Sequence, residues 1–194
     1  SDNDHAGGAD NIAKQLPISA RWAGEPLNSA YQYKQCQAGD FWQFGELNVA
    51  VLSPKEVGKN NNNNSCVLHI SAGDVSLLLT GDIEKKQEIK LINLYGDKLN
   101  STILIAPHHG SRFSSSEGFI KIVDPKWVVF SAGFMNHWKF PAQEVVERYE
   151  KKGIITVNSG LSGFIRFQIS AQAINMKTFR EDLAPYWYHH SFLP

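Results

Sequence analysis

Residues 102–106 and 127–131 are two short stretches that are apolar at every inner position, with no alternation. A strand without a polar face has no surface to give to water, so both read as strands buried inside a sheet. Helical patterns follow them at 118–123 and 141–152, the second opened by Pro141 and striped by Val145, Val146 and Tyr149. Strands at 154–157 and 163–169 close the pattern.

The first half reads differently. A short helix at 10–15 stops at Pro17, and strands are expected at 30–34, 40–44 and 47–52. Residues 66–71 and 75–79 read as a hairpin turning at Ala72, Gly73 and Asp74. Residues 83–95 read as an amphipathic helix with Ile89, Leu91 and Ile92 near one side. A β-rich start followed by alternating strand and helix predicts an α/β fold, with one mixed sheet or two sheets packed together.

With 194 residues and 42% hydrophobic content the chain is expected to be one domain with its own core. Its 19 basic and 19 acidic residues cancel, so no overall field announces a nucleic-acid partner. No apolar run approaches the ~20 residues of a membrane span. The first residues are acidic and polar, unlike a secretory signal, and no Met begins the chain. A fragment or a processed product is therefore expected. Cys36 and Cys66 form neither a disulfide framework nor a zinc knuckle; two buried thiols is the plain expectation, a single disulfide the other. The five asparagines Asn60 to Asn64 read as a solvated linker, and the aromatic tail from Pro185 to His190 as packing back onto the body.

Three polar clusters stand out: Asp2, Asp4 and His5; then Thr80-Gly81-Asp82; then Pro107-His108-His109-Gly110-Ser111. The last two directly follow expected strands. Ligand sites of α/β sheets gather at the carboxyl ends of strands, so these two can share one site. Carboxylates and imidazoles are also the ligands of hydrolytic divalent metals. Each cluster alone has a plain explanation: a polar terminus, a helix cap at Asp82, a histidine pair on a surface loop. Their joint occurrence is what argues for chemistry.

Taken together the clusters resemble the metallo-β-lactamase superfamily, and most closely the C-terminal domain of the ComEC competence family. The superfamily signature is His-x-His-x-Asp-His, and the ComEC form carries Asp for the second His. Here Ser-Asp-Asn-Asp-His-Ala-Gly-Gly at 1–8 matches from the residue after the expected first His. Asn-Asn-Ser-Cys-Val-Leu, Leu-Leu-Thr-Gly-Asp-Ile-Glu, Ala-Pro-His-His-Gly-Ser and Ser-Ala-Gly-Phe-Met-Asn follow in the family's order. The resemblance implies a metallo-β-lactamase-like αββα sandwich lacking its N-terminal strands, with residues 1–194 as one domain of a larger membrane protein. It implies Asp2, Asp4, His5 and Asp82 as metal ligands, with Asp82 bridging, and His108 or His109 in the late histidine position, His108 being favoured as the nearer to the strand end. His109 is left for substrate or proton transfer, with Asp4 its catalytic companion, and Ser111, Asn136 and Lys139 line a substrate groove. Two blocks depart from the family. Ser53 stands in Leu52-Ser53-Pro54 where a His is common, and Phe140 stands where a late His is expected, with His137 or Lys139 as candidates to replace it.

The function so implied is hydrolysis of DNA phosphodiesters with one or two divalent ions. An Asp-for-His ligand and the absence of Cys ligands bring Mn²⁺ beside Zn²⁺. The expected substrate is single-stranded DNA, the strand not transported during uptake. The expected partner is the membrane-channel portion of the parent protein, which would tether the domain outside the inner membrane. Arg112, Trp138 and Lys139 lean the same way, since bases stack on aromatics and phosphates pair with cations. The alternatives are a DNA-binding domain of the same channel without turnover, or a thioester or lactone hydrolase on the same fold.

Overall fold

The computed structural model describes residues 2–59, 61–170 and 173–184. Ser1, Asn60 and the expected aromatic packing of 185–190 lie outside the described residues.

Two short helices, α1 (Asn3–Ala6) and α2 (Ala9–Gln15), precede a minimal parallel pair, β1 (Trp22–Ala23) with β2 (Lys34–Gln35). Strands β3 (Phe41–Phe44), β4 (Leu47–Ser53), β5 (Val67–Ala72) and β6 (Val75–Leu79) form an antiparallel meander. Helix α3 (Lys85–Tyr95) then leads to β7 (Ile103–Ile105), α4 (Glu117–Val123) to β8 (Trp127–Phe130), and α5 (Gln143–Glu150) to β9 (Ile155–Asn158). From β6 to β9 the pairing is parallel, as crossover helices require. Helix α6 (Ser159–Ser162) passes the chain to an antiparallel pair, β10 (Ile165–Ile169) and β11 (Ile174–Thr178). The main sheet is mixed and seven-stranded, in the order β3-β4-β5-β6-β7-β8-β9.

The apolar strands β7 and β8 explain both layers, because successive side chains point to opposite faces. Leu104, Val128 and Phe130 meet Leu91 of α3, Phe119 and Ile120 of α4, and Val145 and Tyr149 of α5 in the main core. Ile103, Trp127 and Val129 face the other way, where Ile165, Phe167 and Ile174 of the β10–β11 pair pack on them. Among the described residues, that pair is what covers this face as a second sheet. Also among them, no helix is long and apolar enough to cross a membrane.

Several local expectations are corrected. The strand at 30–34 is reduced to Lys34–Gln35. Helix α3 buries Leu91 with Gln87 and Glu88, and Ile89 is 55% exposed. Pro141 stands two residues before α5, which begins at Gln143. Strand β11 was not expected, and it is its pairing with β10 that makes it a strand. The cysteines are not buried thiols: Cys36 and Cys66 form a disulfide with a sequence separation of 30. Closing a loop of that length stabilises by roughly 3–4 kcal/mol in the chain-entropy account. The asparagine run is not a solvated linker either. Asn64 is buried; its Oδ1 accepts from the Gly58 N–H (2.7 Å), and its Nδ2 donates to the Gly58 carbonyl (3.0 Å) and to Glu25 (3.2 Å).

A buried acid holds the segment after β7 in place. Glu88 of α3 accepts from the backbone N–H groups of Ser115 (2.5 Å) and Ser116 (2.9 Å). The Tyr149 hydroxyl donates to Ser115 Oγ (3.0 Å), and Arg148 donates to the carbonyls of Ser114 and Ser115. Burial raises the Glu88 carboxyl above its ordinary value, against the hydrogen bonds that lower it. The folded state therefore binds this proton at a higher pH than the unfolded chain does. The contribution is fully present below the unfolded Glu value of about 4.3 and is lost as pH rises through the raised folded value.

Two outcomes follow. Phe119→Ala leaves a void in the main core and should cost about 3–5 kcal/mol, read as a lower urea midpoint. Glu88→Gln should remove the part of the fall in stability that wild type shows as pH rises above about 4.3, measured by urea titration across that window.

Candidate metal centre

The site begins with the ends of two parallel strands. Thr80-Gly81-Asp82 follows β6, and Ala106 to Gly110 follows its neighbour β7, so both loops emerge at one edge of the sheet. The buried Thr80 hydroxyl donates to the Ile105 carbonyl (2.8 Å), and the His108 N–H donates to the Gly81 carbonyl (3.0 Å). Gly81 has φ +55°, and a Cβ there would meet Ser65 at 2.7 Å. His108 and His109 both adopt left-handed backbone, φ 48° and 54°. Such residues cost of order 1–3 kcal/mol each and cluster at functional sites. Gly110 must be glycine, since a Cβ would stand 2.6 Å from Pro141 Cβ and 2.7 Å from the Phe130 ring.

This strained turn carries His109 to Asp82 and to the two side chains supplied by α1. His5 Nε2 lies 3.0 Å from Asp82 Oδ2 and 3.2 Å from His109 Nε2. His109 Nε2 lies 3.3 Å from Asp4 Oδ2 and 3.4 Å from Asp82 Oδ1, and His5 Nε2 is 3.7 Å from Asp4 Oδ2. One ligand atom from each of Asp4, His5, Asp82 and His109 falls within 4.8 Å of all the others. Four ligands ~2.1 Å from a common centre in a tetrahedron are separated by ~3.4 Å, and the contacts just given, which involve both Asp82 oxygens, run from 3.0 to 3.7 Å around that value.

Two further features fit a divalent cation. His109 Nδ1 is 2.7 Å from the Ser131 carbonyl, so this nitrogen carries the hydrogen and Nε2 presents a lone pair to the cluster. Asp82 Oδ1 is buried without a hydrogen-bond partner, an acceptor that a cation would satisfy. Two imidazoles and two carboxylates suit Zn²⁺ or Mn²⁺. The hydrogen bond to Asp82 raises the His5 value, while burial opposes it. Burial raises the Asp82 carboxyl, and the His5 hydrogen bond with the nearby histidine charges outweighs that and leaves it lowered.

The sequence expectations divide on this geometry. Asp4, His5 and Asp82 come together as expected, but the histidine that joins them is His109, not His108. Each histidine at this turn points its own way: His108 Nδ1 is buried without a hydrogen-bond partner, 4.0 Å from Glu84 Oε1. Asp2 stands outside the cluster, on the wall of the adjoining cavity. Ser111 is buried, and its hydroxyl accepts from the Phe113 N–H, so it faces its own loop rather than a groove. The Asn136 amide donates to the Gly133 and Phe140 carbonyls and accepts from the Phe140 N–H, clamping its own turn. Lys139 is exposed with φ 56°. Ser53 is fully buried and accepts from Gln87 Nε2 (2.9 Å). The Phe140 ring packs 5.7 Å from His108 and 6.3 Å from His109. The Ser131 carbonyl had no signal in the sequence, because any residue offers one.

A cavity of about 350 Å³ opens beside the cluster and shares His5 and Asp82 with it. Trp22, Tyr33 and the asparagine segment form much of its wall.

No protein-family model matches the chain. Competence protein ComA of Neisseria gonorrhoeae is 35% identical over 181 residues, 92% of this chain and 26% of that protein. ComE operon protein 3 of Bacillus subtilis (strain 168) is 31% identical over 183 residues, 87% of this chain and 24% of its own length. The chain belongs to the ComEC family of competence proteins. The uncharacterized protein YcaI of Escherichia coli (strain K12) is 36% identical over 191 residues, 97% of this chain and 25% of that protein. This ComEC-family chain thus spans about a quarter of the length of the curated relatives it matches. Among solved structures, Igni18, a metallo hydrolase from Ignicoccus hospitalis, aligns with a TM-score of 0.53 at 13% identity, covering 81% of this chain and 71% of that one. The chain shares the fold of this metallo hydrolase.

His109→Ala and Asp82→Ala should each weaken Mn²⁺ or Zn²⁺ binding by 100-fold or more, whereas His108→Ala should stay within a few-fold of wild type. Titration calorimetry on the metal-free chain, with circular dichroism to check folding, reads both.

Proposed function

We propose that this segment is the metal-dependent phosphodiesterase of a DNA-uptake protein and acts on single-stranded DNA, the strand that is not transported. The observation that carries the reading is the convergence of the Asp4, His5, Asp82 and His109 ligand atoms within 4.8 Å, at the strand-end edge of a metallo-hydrolase fold. The competence names of relatives support a role in DNA uptake, and DNA as the substrate class is part of this proposal.

Asp82 and His109 come from the sheet edge and set the floor of the centre; Asp4 and His5 come from α1 and close it. The Ser131 carbonyl fixes the His109 tautomer, so Nε2 stays available as a donor of electrons. A divalent ion held there, Zn²⁺ or Mn²⁺, supplies Lewis-acid polarisation of a phosphoryl oxygen and an acidified water. Phe140 packs against both histidine rings and keeps that side apolar. In the parent protein the domain is joined to a membrane channel and works outside the inner membrane. The Cys36–Cys66 disulfide suits that oxidising side.

A second reading has its own observation. Ser53 and Phe140, at two places where the family resemblance expects histidine, offer no metal ligand, which favours a domain that binds DNA without cutting it.

End-labelled single-stranded DNA incubated with the chain should be cleaved only with Mn²⁺ or Zn²⁺ present, and Asp82→Ala should lower the rate by 1,000-fold or more. Binding without cleavage under every metal tested would establish the second reading instead.

A further inference from the structure

The cavity beside the cluster is not explained by metal chemistry. Its volume, about 350 Å³, lies at the low end of small-ligand sites. That is room for one nucleoside and too little for two base-paired nucleosides with their sugars. Two of its walls are the aromatic side chains Trp22 and Tyr33. Trp22 is held by a ring contact with Trp42 (4.8 Å between centroids), and Lys34 Nζ stands 5.8 Å from its ring centre. Tyr33 is half-buried at the cavity.

The charge of the lining selects which part of a nucleotide enters. Asp2, Glu25 and Asp82 line the cavity, and no Lys or Arg does so among the described residues. A phosphate is repelled from such a wall, while the amino groups of a base find acceptors there. The phosphate is thereby left on the side of His5 and Asp82, which belong to cavity and metal cluster alike.

The wall is also built rather than incidental. Asn62 Nδ2 donates to Glu84 (3.2 Å), and Ser65 Oγ donates to the Asn62 carbonyl (2.7 Å) and accepts from the Asp82 N–H (3.0 Å). Cys66, which also lines the cavity, is tied to Cys36. The asparagine segment is thus fastened both to the metal-bearing loop and, through the disulfide, to the chain just beyond Tyr33.

We infer that this cavity binds the unpaired base and sugar of one nucleotide of the strand, with Tyr33 as the stacking residue and the adjoining phosphate presented to the metal cluster. The inference rests on the phosphodiesterase reading and adds its substrate determinant. A paired base is excluded because its partner strand has no space in the cavity, so single-strand preference follows from the shape of this wall.

Two measurements test it. Deoxyadenosine, an uncharged probe, is titrated into the metal-free wild-type chain and its Tyr33→Ala and Tyr33→Phe variants, with NMR reporting on the Trp22 indole. Turnover by the Mn²⁺-loaded proteins is compared on single-stranded oligothymidylate and on an abasic strand of tetrahydrofuran sites, which has phosphodiesters and no aromatic group. Tyr33→Ala should weaken deoxyadenosine binding and lower kcat/KM on oligothymidylate by about tenfold, with the slower turnover of the abasic strand the same as in wild type and Tyr33→Phe near wild type on all three. Absence of Trp22 shifts in wild type, equal binding by Tyr33→Ala, or an equal loss on both substrates overturns the proposal. Hydrolysis of the abasic strand without nucleoside binding leaves the phosphodiesterase standing and removes the pocket. Tyr33-dependent binding without hydrolysis of either substrate does the reverse.

Discussion

The hydrogen bond from the buried Thr80 hydroxyl to the Ile105 carbonyl holds the ends of two neighbouring parallel strands together. The His108 N–H to Gly81 carbonyl bond repeats the tie one step further out. The sheet-edge half of the candidate metal centre depends on this pairing, because Asp82 leaves one strand and His109 the other. Parallel order makes it possible: only parallel neighbours deliver both carboxyl ends to the same edge. The helices that parallel order requires in turn bury one face of the sheet and supply Glu88, Arg148 and Tyr149, whose hydrogen bonds anchor the loop after His109.

The other half of the site is held by covalent and polar ties rather than by the core. The disulfide, the side-chain bonds of Asn62 and Asn64, and the Ser65 contact to the Asp82 N–H bring a loop of low hydrophobicity against the metal-bearing turn. Such a wall has few apolar contacts of its own, so its rigidity comes from satisfied amides and the cross-link. The contrast with the densely packed helix face matches a division of labour. The core holds the Asp82 and His109 loops, and the asparagine segment shapes the space beside them.

Much of this was legible in residue order. The unalternating strands at 103–105 and 127–130 announced a sheet covered on both faces, and the polar residues directly after strands marked the edge where a site would form. Asp4, His5 and Asp82 were recognisable by type and position. The roles of adjacent histidines were not, because successive residues in a left-handed turn point their side chains in different directions that neither the strand nor the right-handed helix period describes. Ser111 and Asn136 looked like groove residues because they are polar and follow strands. Their side chains instead satisfy backbone groups of their own turns, which composition does not reveal. The asparagine run misled for the same reason: amides are polar in either setting, and only partners distinguish a linker from a wall.

By itself, then, the sequence determined the α/β class and the sheet edge where its polar clusters meet, and its motifs carried the family resemblance and three of the four converging side chains. Hydrophobic period and motif order are properties of the chain as written. The tertiary structure alone decided that His109 faces the cluster, that the cysteines join, and that Trp22, Tyr33 and the asparagine segment enclose a cavity beside His5 and Asp82. Those outcomes depend on left-handed backbone at 108 and 109, on chain crossings over dozens of residues, and on which buried polar groups find partners. Such constraints act between segments, and no single segment contains them.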